Sequence, residues 1–521
     1  MTRLLISTLF CLMAGLATAL SQPLREYRLN GTTALSTLPR SNVVNDIRIF
    51  RDTVWLGTEN GLTATADGGA HWFEFSGSDA PANNSISAVA MNDSVIWAAA
   101  AFTSKQADQS LPAGGGLFRS TDRGLHWVHI PQPVDSGLVD TLRDYGATGI
   151  RSLAITTEIN NLTYDIAVTG RDVWIASFAG MLRRSSDGGA TWRKVVLPPD
   201  TGQDFISATD TLHFDLAPTG GKAGLTGNLN HRVFSVYAQN DTTIWVGTAG
   251  GINRTTDGGV SWRKFSHQNQ AQPISGNFVV SICGQDWNGR HLIWAATVNA
   301  EAADEVRGVS FTDDDGVTWK TALHGTFTHN VTAHDSVVYA ATDDGTFRSD
   351  DFGVSWHRSG SIRDGKTGAR IADAAAYAVA AAGDSVWIGG PEGLAVTPDN
   401  AGEPFGARWS VFRTYQPLAS GASTYAYPNP FSPSQEVVRL HYRLNGTAGA
   451  SPRATTIRIF DFGMMPVRVV VQNAPRPVGV DLDDLWDGRD DHGNRVANGV
   501  YFYRIEDGDG SPFWGKIMVL Q

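Results

Sequence analysis

The chain has 521 residues, 41 basic and 52 acidic side chains, and a formal net charge of −11. That length predicts two or more domains, or one large repeat domain, rather than a single ordinary core. The acidic balance argues against nucleic acid or an anionic membrane as a partner, because both favour basic surfaces.

At the N-terminus, "MTRLLISTLFCLMAGLATALSQP" places Arg3 before an apolar run (4–16) and Ala17-Thr18-Ala19. This is the layout of a secretory signal peptide (1–19) cleaved after Ala19, and the run is too short to span a membrane. Cys11 does not make a lipoprotein site, since the residue before it, Phe10, is not small. No other long apolar stretch follows, so no membrane-spanning segment is predicted and the mature chain is expected outside the cell or on its outer surface. Loss of the signal leaves Cys283 as the sole cysteine, which excludes an intramolecular disulfide. Its setting, "FVVSICGQD", reads as a buried strand rather than a nucleophile's surroundings.

One phrase then recurs: "TADGGAHW" (65–72), "STDRGLHW" (120–127), "SSDGGATW" (185–192), "TTDGGVSW" (255–262), "TDDDGVTW" (312–319) and "SDDFGVSW" (349–356). A damaged seventh copy, "TPDNAGEPFGARW" (397–409), carries an insertion. Each copy follows a strand-like phrase such as "DTVWLGT" or "DTTIWVGT". Self-similarity at this spacing predicts stacked units that cannot bury their faces alone. Each unit reads as four short strands with tight polar turns, so the expected fold is all-β: a seven-bladed β-propeller over 20–415. "EYRLNG" near the start is a candidate to close the ring by pairing with the last blade.

The phrase resembles the Asp-box of sialidases, sortilin-type receptors and many bacterial propellers, with Asp67, Asp122, Asp187, Asp257, Asp314, Asp351 and Asp399 as its aspartates. Aspartate and hydroxyl suit backbone N–H groups in the turn, glycine permits the tight backbone, and tryptophan packs between sheets. These aspartates are therefore expected to be structural, not catalytic or metal-binding. The same logic puts most tryptophans in the core rather than on a sugar-stacking surface.

Five long insertions (101–115, 131–147, 198–230, 298–308 and 358–370) interrupt second-to-third turns or links between blades. Both kinds of connection lie on the face opposite the boxes, which makes that face the predicted binding surface, with drift in tolerant loops as the alternative. Residues just before each innermost strand are expected to ring the central channel there. Arg151, His231, Arg232, His329 and Arg370 are the candidate ligand contacts, since a guanidinium fork matches carboxylate or sulfate; the alternative is a solvated rim. The sialidase resemblance is incomplete, because "IRIF" (47–50) lacks the proline of the Arg-Ile-Pro motif. Xyloglucanase-type propellers also resemble this repeat and use channel-face aspartates, for which Asp46, Asp304 and Asp373 are candidates. No nucleophile-elbow, zinc-protease, P-loop or paired-cysteine motif occurs, so no cofactor and no metal is predicted. Asp-Ser/Thr pairs at Asp52, Asp93, Asp140, Asp210, Asp241, Asp335 and Asp384 resemble O-glycosylation acceptors of Bacteroidetes-type secreted proteins, but read better as turns.

The repeat stops at a linker (416–423), and 424–521 alternates like the strands of a small β-sandwich. Within it, "DGRDDHGNRVANG" reads as a polar turn rather than a calcium loop. Tyr427-Pro428-Asn429-Pro430-Phe431, Trp486-Asp487-Gly488, Gly499-Val500-Tyr501 and Gly515-Lys516-Ile517 resemble the immunoglobulin-like module of flagellar hook-capping proteins and type IX secretion sorting domains. The resemblance implies passage through the outer membrane by that machinery, or an adhesive module. Three functions remain open: a propeller binding a glycan or extracellular protein, a sialidase- or xyloglucanase-type hydrolase, and an assembly factor like the photosystem II propeller that shares these repeats.

Overall fold

The computed structural model describes residues 33–75, 79–106, 109–135, 141–145, 148–212, 214–218, 227–414, 423–434, 437–447, 450–508 and 512–520. The predicted signal peptide (1–19), "EYRLNG", Asp140 and most of the predicted linker (416–423) lie outside the described residues. Among the described residues, strands dominate, and no helix is long and apolar enough to cross a membrane.

Between residues 44 and 412 the described chain forms seven successive antiparallel sheets built on four consecutive strands each, with Phe205–Ile206 added to the outer edge of the fourth, and two further two-stranded sheets, Thr141–Tyr145 with Thr148–Ser152 and Ile362–Arg363 with Arg370–Ile371. The first strands of the seven are β1 (Val44–Phe50), β2 (Ser85–Met91), β3 (Thr163–Val168), β4 (Val233–Ala238), β5 (Phe278–Trp287), β6 (Thr328–His334) and β7 (Ala378–Ala382). Each first strand packs against the first strand of the next sheet, and β7 returns to β1. The result is a β-propeller around a central channel. All four strands of the seventh sheet come from residues 378–412, so the ring closes by packing and not by a borrowed strand. The described strand nearest the N-terminus, Thr33–Ser36, instead extends sheet 1 at its outer edge, against Trp72–Phe75. Asn42 and Thr414 clasp the ends of the ring, the Thr414 N–H donating to Asn42 Oδ1 at 2.7 Å and Asn42 Nδ2 donating to the Thr414 carbonyl at 2.9 Å.

The hydrophobic core is divided into layers, each lying between neighbouring sheets. One joins Val44, Ile47, Leu56 and Trp72 of sheet 1 to Ala378, Trp387 and Leu394 of sheet 7. The box tryptophan of one sheet meets the second-strand tryptophan of the sheet before it. Trp192 lies edge-on to Trp97 and Trp262 to Trp174, both at 6.3 Å, and Trp356 to Trp294 at 6.2 Å. Trp72 on Trp387, also at 6.3 Å, repeats this contact at the closure. Such aromatic pairs add about 0.5–1.5 kcal/mol beyond the area they bury.

The first strands are irregular in a shared way. Six of them carry a register shift near their start, at Asp46, Ala88, Asp165, Ser235, Ser281 and Asn330. A bulge re-aims side chains and adds twist, and here several polar residues at or beside it reach the neighbouring strand. Asp46 accepts the Val89 N–H at 2.7 Å, Asp165 accepts that of Val236 at 3.0 Å, and Asn330 accepts that of Val379 at 3.1 Å.

After the propeller come two more sheets with a separate core built on Phe431, Tyr442, Ile457, Trp486 and Tyr503. One sheet holds Thr424–Tyr427, Val438–Arg443 and Asp481–Trp486; the other holds Pro466–Arg476, Arg453–Phe460, Gly499–Glu506 and Phe513–Val519. Along Gly499–Glu506 buried and part-buried positions alternate, as a half-buried strand requires. Gly515 is needed where it stands, because a Cβ there would lie 2.1 Å from the Tyr503 ring. In the "DGRDDHGNRVANG" turn, Asp490 accepts the backbone N–H groups of His492 and Asn494 at 2.9 and 2.8 Å.

Candidate functional site

The channel is polar although the strands around it are largely apolar. A cavity of about 340 Å³ runs along it, bordered by Asp46, Arg48, Asp165, Cys283, His329 and Asn330 among others. Arg48 projects from β1 and joins two carboxylates, Asp46 at 3.3 Å and Asp165 of β3 at 3.0 Å. Its Nε also donates to the Val89 carbonyl at 3.0 Å. Asp46 raises the Arg48 pKa further above its ordinary value despite burial. Burial pushes Asp165 up to about 6, against the pull of Arg48. Burial also pushes the Cys283 thiol up to about 12, so it stays protonated at neutral pH.

At the insertion-bearing end the channel mouth carries an arc of rings. Phe234 lies 5.1 Å from Tyr164 and 4.3 Å from Phe278, and Phe178 is 6.0 Å from Phe234. Further round, His329 packs against Phe327 at 4.8 Å and Tyr377 at 5.3 Å. Tyr164, Phe234 and His329 are the residues displaced by the bulges of β3, β4 and β6, so the same irregularity that ties the sheets aims these rings at the mouth.

Of the five candidate ligand contacts, the structure brings only His329 to the channel wall, where its Nε2 pairs with Asp343 at 2.6 Å. Arg232 stands over the Phe178 ring at 5.2 Å and donates to the Pro218 carbonyl at 2.9 Å. Arg151 pairs with Asp215 at 3.2 Å, within the 198–230 insertion. His231 is fully buried, with Nε2 accepting the Leu197 N–H at 3.3 Å. Burial lowers its pKa to about 3, with Lys264 adding to the shift, so the ring is neutral. Arg370 borders the cleft between propeller and C-terminal domain, opposite Arg476 and residues 481–484.

That cleft is part of a larger contact. The C-terminal domain docks on the insertion-bearing end near sheets 6 and 7, joined by Arg439 to Glu392 and by Arg413 to Asp483 at 3.2 Å. Asp483 also accepts from Tyr427 at 2.8 Å and pairs with His441 at 2.9 Å. Of the channel carboxylate candidates, Asp46 lies in the channel as described, whereas Asp304 pairs with His267 at 3.2 Å and Asp373 lines a separate surface hollow. Sequence reasoning missed Arg48, Asp165, Tyr164 and Tyr377. Their signal was charge and aromatic character inside otherwise apolar runs, "NDIRIF", "TYDIAV" and "AAAYAVAAA".

At the other end, six boxes share one geometry. The hydroxyl of the first residue bonds the aspartate at 2.7–3.0 Å and accepts the glycine N–H at 2.8–3.0 Å. Each aspartate also accepts a backbone N–H four residues on, at 2.9 Å. Donors from Thr191 and Ser355 hold Asp187 and Asp351 at about 2. Asp399 departs from this pattern: it accepts from Tyr339 and from Arg348, each at 2.5 Å, tying sheet 7 to sheet 6.

No family model matches the chain. Similar curated proteins include a xyloglucanase of Paenibacillus sp, 32% identical over 151 residues, covering 28% of this chain and 13% of that protein. A xyloglucanase of Hypocrea jecorina is 26% identical over 245 residues, covering 45% of this chain and 26% of that one. The chain thus spans between 13% and 26% of the length of these two relatives. Among solved structures, an ancestral GH74 enzyme shares 15% identity at a TM-score of 0.49, covering 91% of this chain and 62% of its own. PorZ of Porphyromonas gingivalis, a surface component of the type-IX secretion system, shares 14% at 0.40, covering 91% and 65%.

Proposed function

We propose that the chain is an exported, seven-bladed Asp-box propeller that binds a glycan at its channel mouth, carried outward by an immunoglobulin-like C-terminal domain (424–521). The observation that carries the reading is the arc of part-buried rings, Tyr164, Phe178, Phe278, His329 and Tyr377, the first three packed on the buried Phe234, beside a polar channel. Aromatic faces suit the apolar faces of sugar rings, and the asparagine, serine and aspartate side chains below them suit hydroxyl groups. The Asp-box aspartates are read as turn staples, because their oxygens are already engaged by the turn itself. Signal cleavage near Ala19 and sorting by residues 424–521 complete the proposal, and deleting 424–521 is expected to trap the protein in the periplasm. Export unchanged by that deletion would defeat the sorting role.

A second reading, a glycoside hydrolase, draws on two observations: the partial alignment with xyloglucanases and the two carboxyl groups joined by Arg48, Asp46 and Asp165, of which Asp165 is pushed by burial to about 6. Acid–base hydrolysis needs one protonated and one ionised carboxyl. Both carboxylates here also hold neighbouring strands through Val89 and Val236, which favours a structural duty and the binding reading. The test is a panel of immobilised xyloglucan and sialoglycans, scored for retention and released sugar together. Retention without release, weakened by Tyr377→Ala, is the expected result. Release abolished by Asp165→Asn would replace binding with hydrolysis. No retention on any glycan would sink both.

A further inference from the structure

At the box end, three of the junctions between neighbouring sheets share one layout. In sheets 2, 3 and 4 the residue paired across from the second-strand tryptophan is arginine: Arg119 with Trp97, Arg184 with Trp174, Arg254 with Trp245. Each guanidinium stands over its tryptophan, 6.0, 4.8 and 5.2 Å from the ring centroid. Each then crosses to the next box and donates to the carbonyl of its fourth residue: Gly188 at 2.6 Å, Gly258 at 2.7 Å and Asp315 at 2.6 Å. Arg184 is paired in addition with Asp172, in the turn before its tryptophan. Elsewhere the same gap is filled differently. Phe311 stacks on Trp294 at 4.4 Å, Arg348 reaches Asp399, and Val396 lies across from Trp387, with Phe412 stacked on that ring at 6.3 Å as Phe75 is on Trp55.

In sheet 1 the residue across from Trp55 is Ala64. The rest of that junction matches the one between sheets 4 and 5. Trp55 stacks on Phe75 at 5.5 Å as Trp245 does on Phe265 at 6.0 Å. Phe75 then meets Trp127 edge-on at 5.6 Å, as Phe265 meets Trp319 at 6.4 Å. Where Arg254 lies in one junction, the other has a cleft of about 360 Å³ bordered by Phe50, Trp55, Ala64, Phe75, Asp52 and Arg123. Arg123 is the fourth residue of its box, the position whose carbonyl receives the arginine in the three filled junctions. Asp52 is exposed and sits in the turn before Trp55, close to the place Asp172 holds beside Arg184.

We propose that the cleft between sheets 1 and 2 takes the arginine side chain of a partner polypeptide, supplied from outside where three other junctions supply their own. The tryptophan face and the box residue that receive a guanidinium in three junctions, and a turn carboxylate like the one that receives it in one of them, are in place here without the arginine. A planar guanidinium stacks on an aromatic face and bonds in its own plane at once, which an ammonium cannot do. The chain's net charge of −11 favours the approach of a cationic segment. Arg51 at the rim is already neutralised by Asp93 at 2.7 Å and stands over Phe50 at 5.4 Å. The site is on the face opposite the channel mouth, so it is independent of glycan binding there.

The test titrates the full-length protein by calorimetry with the blocked tripeptide acetyl-Gly-Arg-Gly-amide, and with its lysine and citrulline counterparts. Saturable one-to-one binding of the arginine peptide is expected, about tenfold tighter than either counterpart. Ala64→Arg should fill the cleft from within, abolish peptide binding and raise Tm. Asp52→Asn leaves the walls intact and should weaken binding severalfold, which gives a result even if Ala64→Arg does not fold. Equal affinity for the citrulline peptide, no saturable binding of the arginine peptide, undiminished binding by a folded Ala64→Arg protein, or displacement of the peptide by a xyloglucan oligosaccharide would each overturn the proposal.

Discussion

At the box end of the sheets, six turns place the same atoms at nearly the same distances, with the backbone N–H to aspartate contact at 2.9 Å in all six. At the channel, the bulged residues differ from strand to strand: Asn45, Ser87, Tyr164, Phe234, Val280 and His329. One end is repeated because every sheet faces the same folding problem there, a tight turn next to a tryptophan that must be buried. The other varies because each side chain points at a shared space where identity brings no packing advantage. A position that escapes the repeat is therefore where recognition can reside, and a position that keeps it is where stability resides.

Five variants press on this contrast, and the largest effect belongs to the repeated end. Trp262→Ala removes a fully buried ring from the layer between sheets 3 and 4 and is expected to cost about 3–5 kcal/mol in denaturant unfolding. The folded fraction should keep any affinity measured at the channel mouth. Next comes the box that broke the pattern. Asp399→Ala strips the partner from Arg348 and Tyr339 at a largely buried site, and a loss of about 3 kcal/mol is expected. By contrast Asp257→Ala, at an ordinary exposed box, should cost nearer about 1 kcal/mol. If the two aspartates proved equally costly, the distinction between an intersheet tie and a turn staple would fail.

The smallest effects appear in the pH profile, and they run in opposite directions at the two ends. Asp165 has a folded pKa raised to about 6, so its contribution is fullest below about pH 4 and fades as pH rises through 6. Asp165→Asn should gain stability relative to the parent protein between pH 4 and 6 in a Tm series. Asp187 and Asp351 are held at about 2, so their contribution is present above about pH 4 and is lost as pH falls toward 2. The double variant Asp187→Asn/Asp351→Asn should flatten the acid limb and leave the pH 4–6 region unchanged. A flattened pH 4–6 region in the double variant would mean that the ends are coupled.

The propeller was legible from the sequence because its signals are local. Hydroxyl, aspartate, glycine and tryptophan act within eight residues, and the strand-to-strand order follows from the turns. The channel was not legible, because its members meet across the ring: Arg48 reaches Asp165, 117 positions away in sequence. Sequence spacing put Arg151, His231, Arg232 and Arg370 around the channel by their place just before first strands. The long 198–230 insertion engages Arg151, and also Arg232, which still stands over the Phe178 ring of the mouth, while residues 475–484 of the C-terminal sheets border Arg370. That docking, through Arg413–Asp483 and Arg439–Glu392, had no local signature at all.

Because the seventh sheet borrows no strand, the junction that joins the two ends of the chain is made of the same contacts as the others, a tryptophan pair and an apolar layer. What marks the seam is the Asn42–Thr414 clasp and not its packing. A circularly permuted chain, opened at the link between sheets 4 and 5 and joined between Thr414 and Thr33, would present every junction with the same partners. Addition or loss of one whole sheet would leave each remaining junction chemically familiar, so the circumference of the ring is free to vary while its local chemistry is conserved.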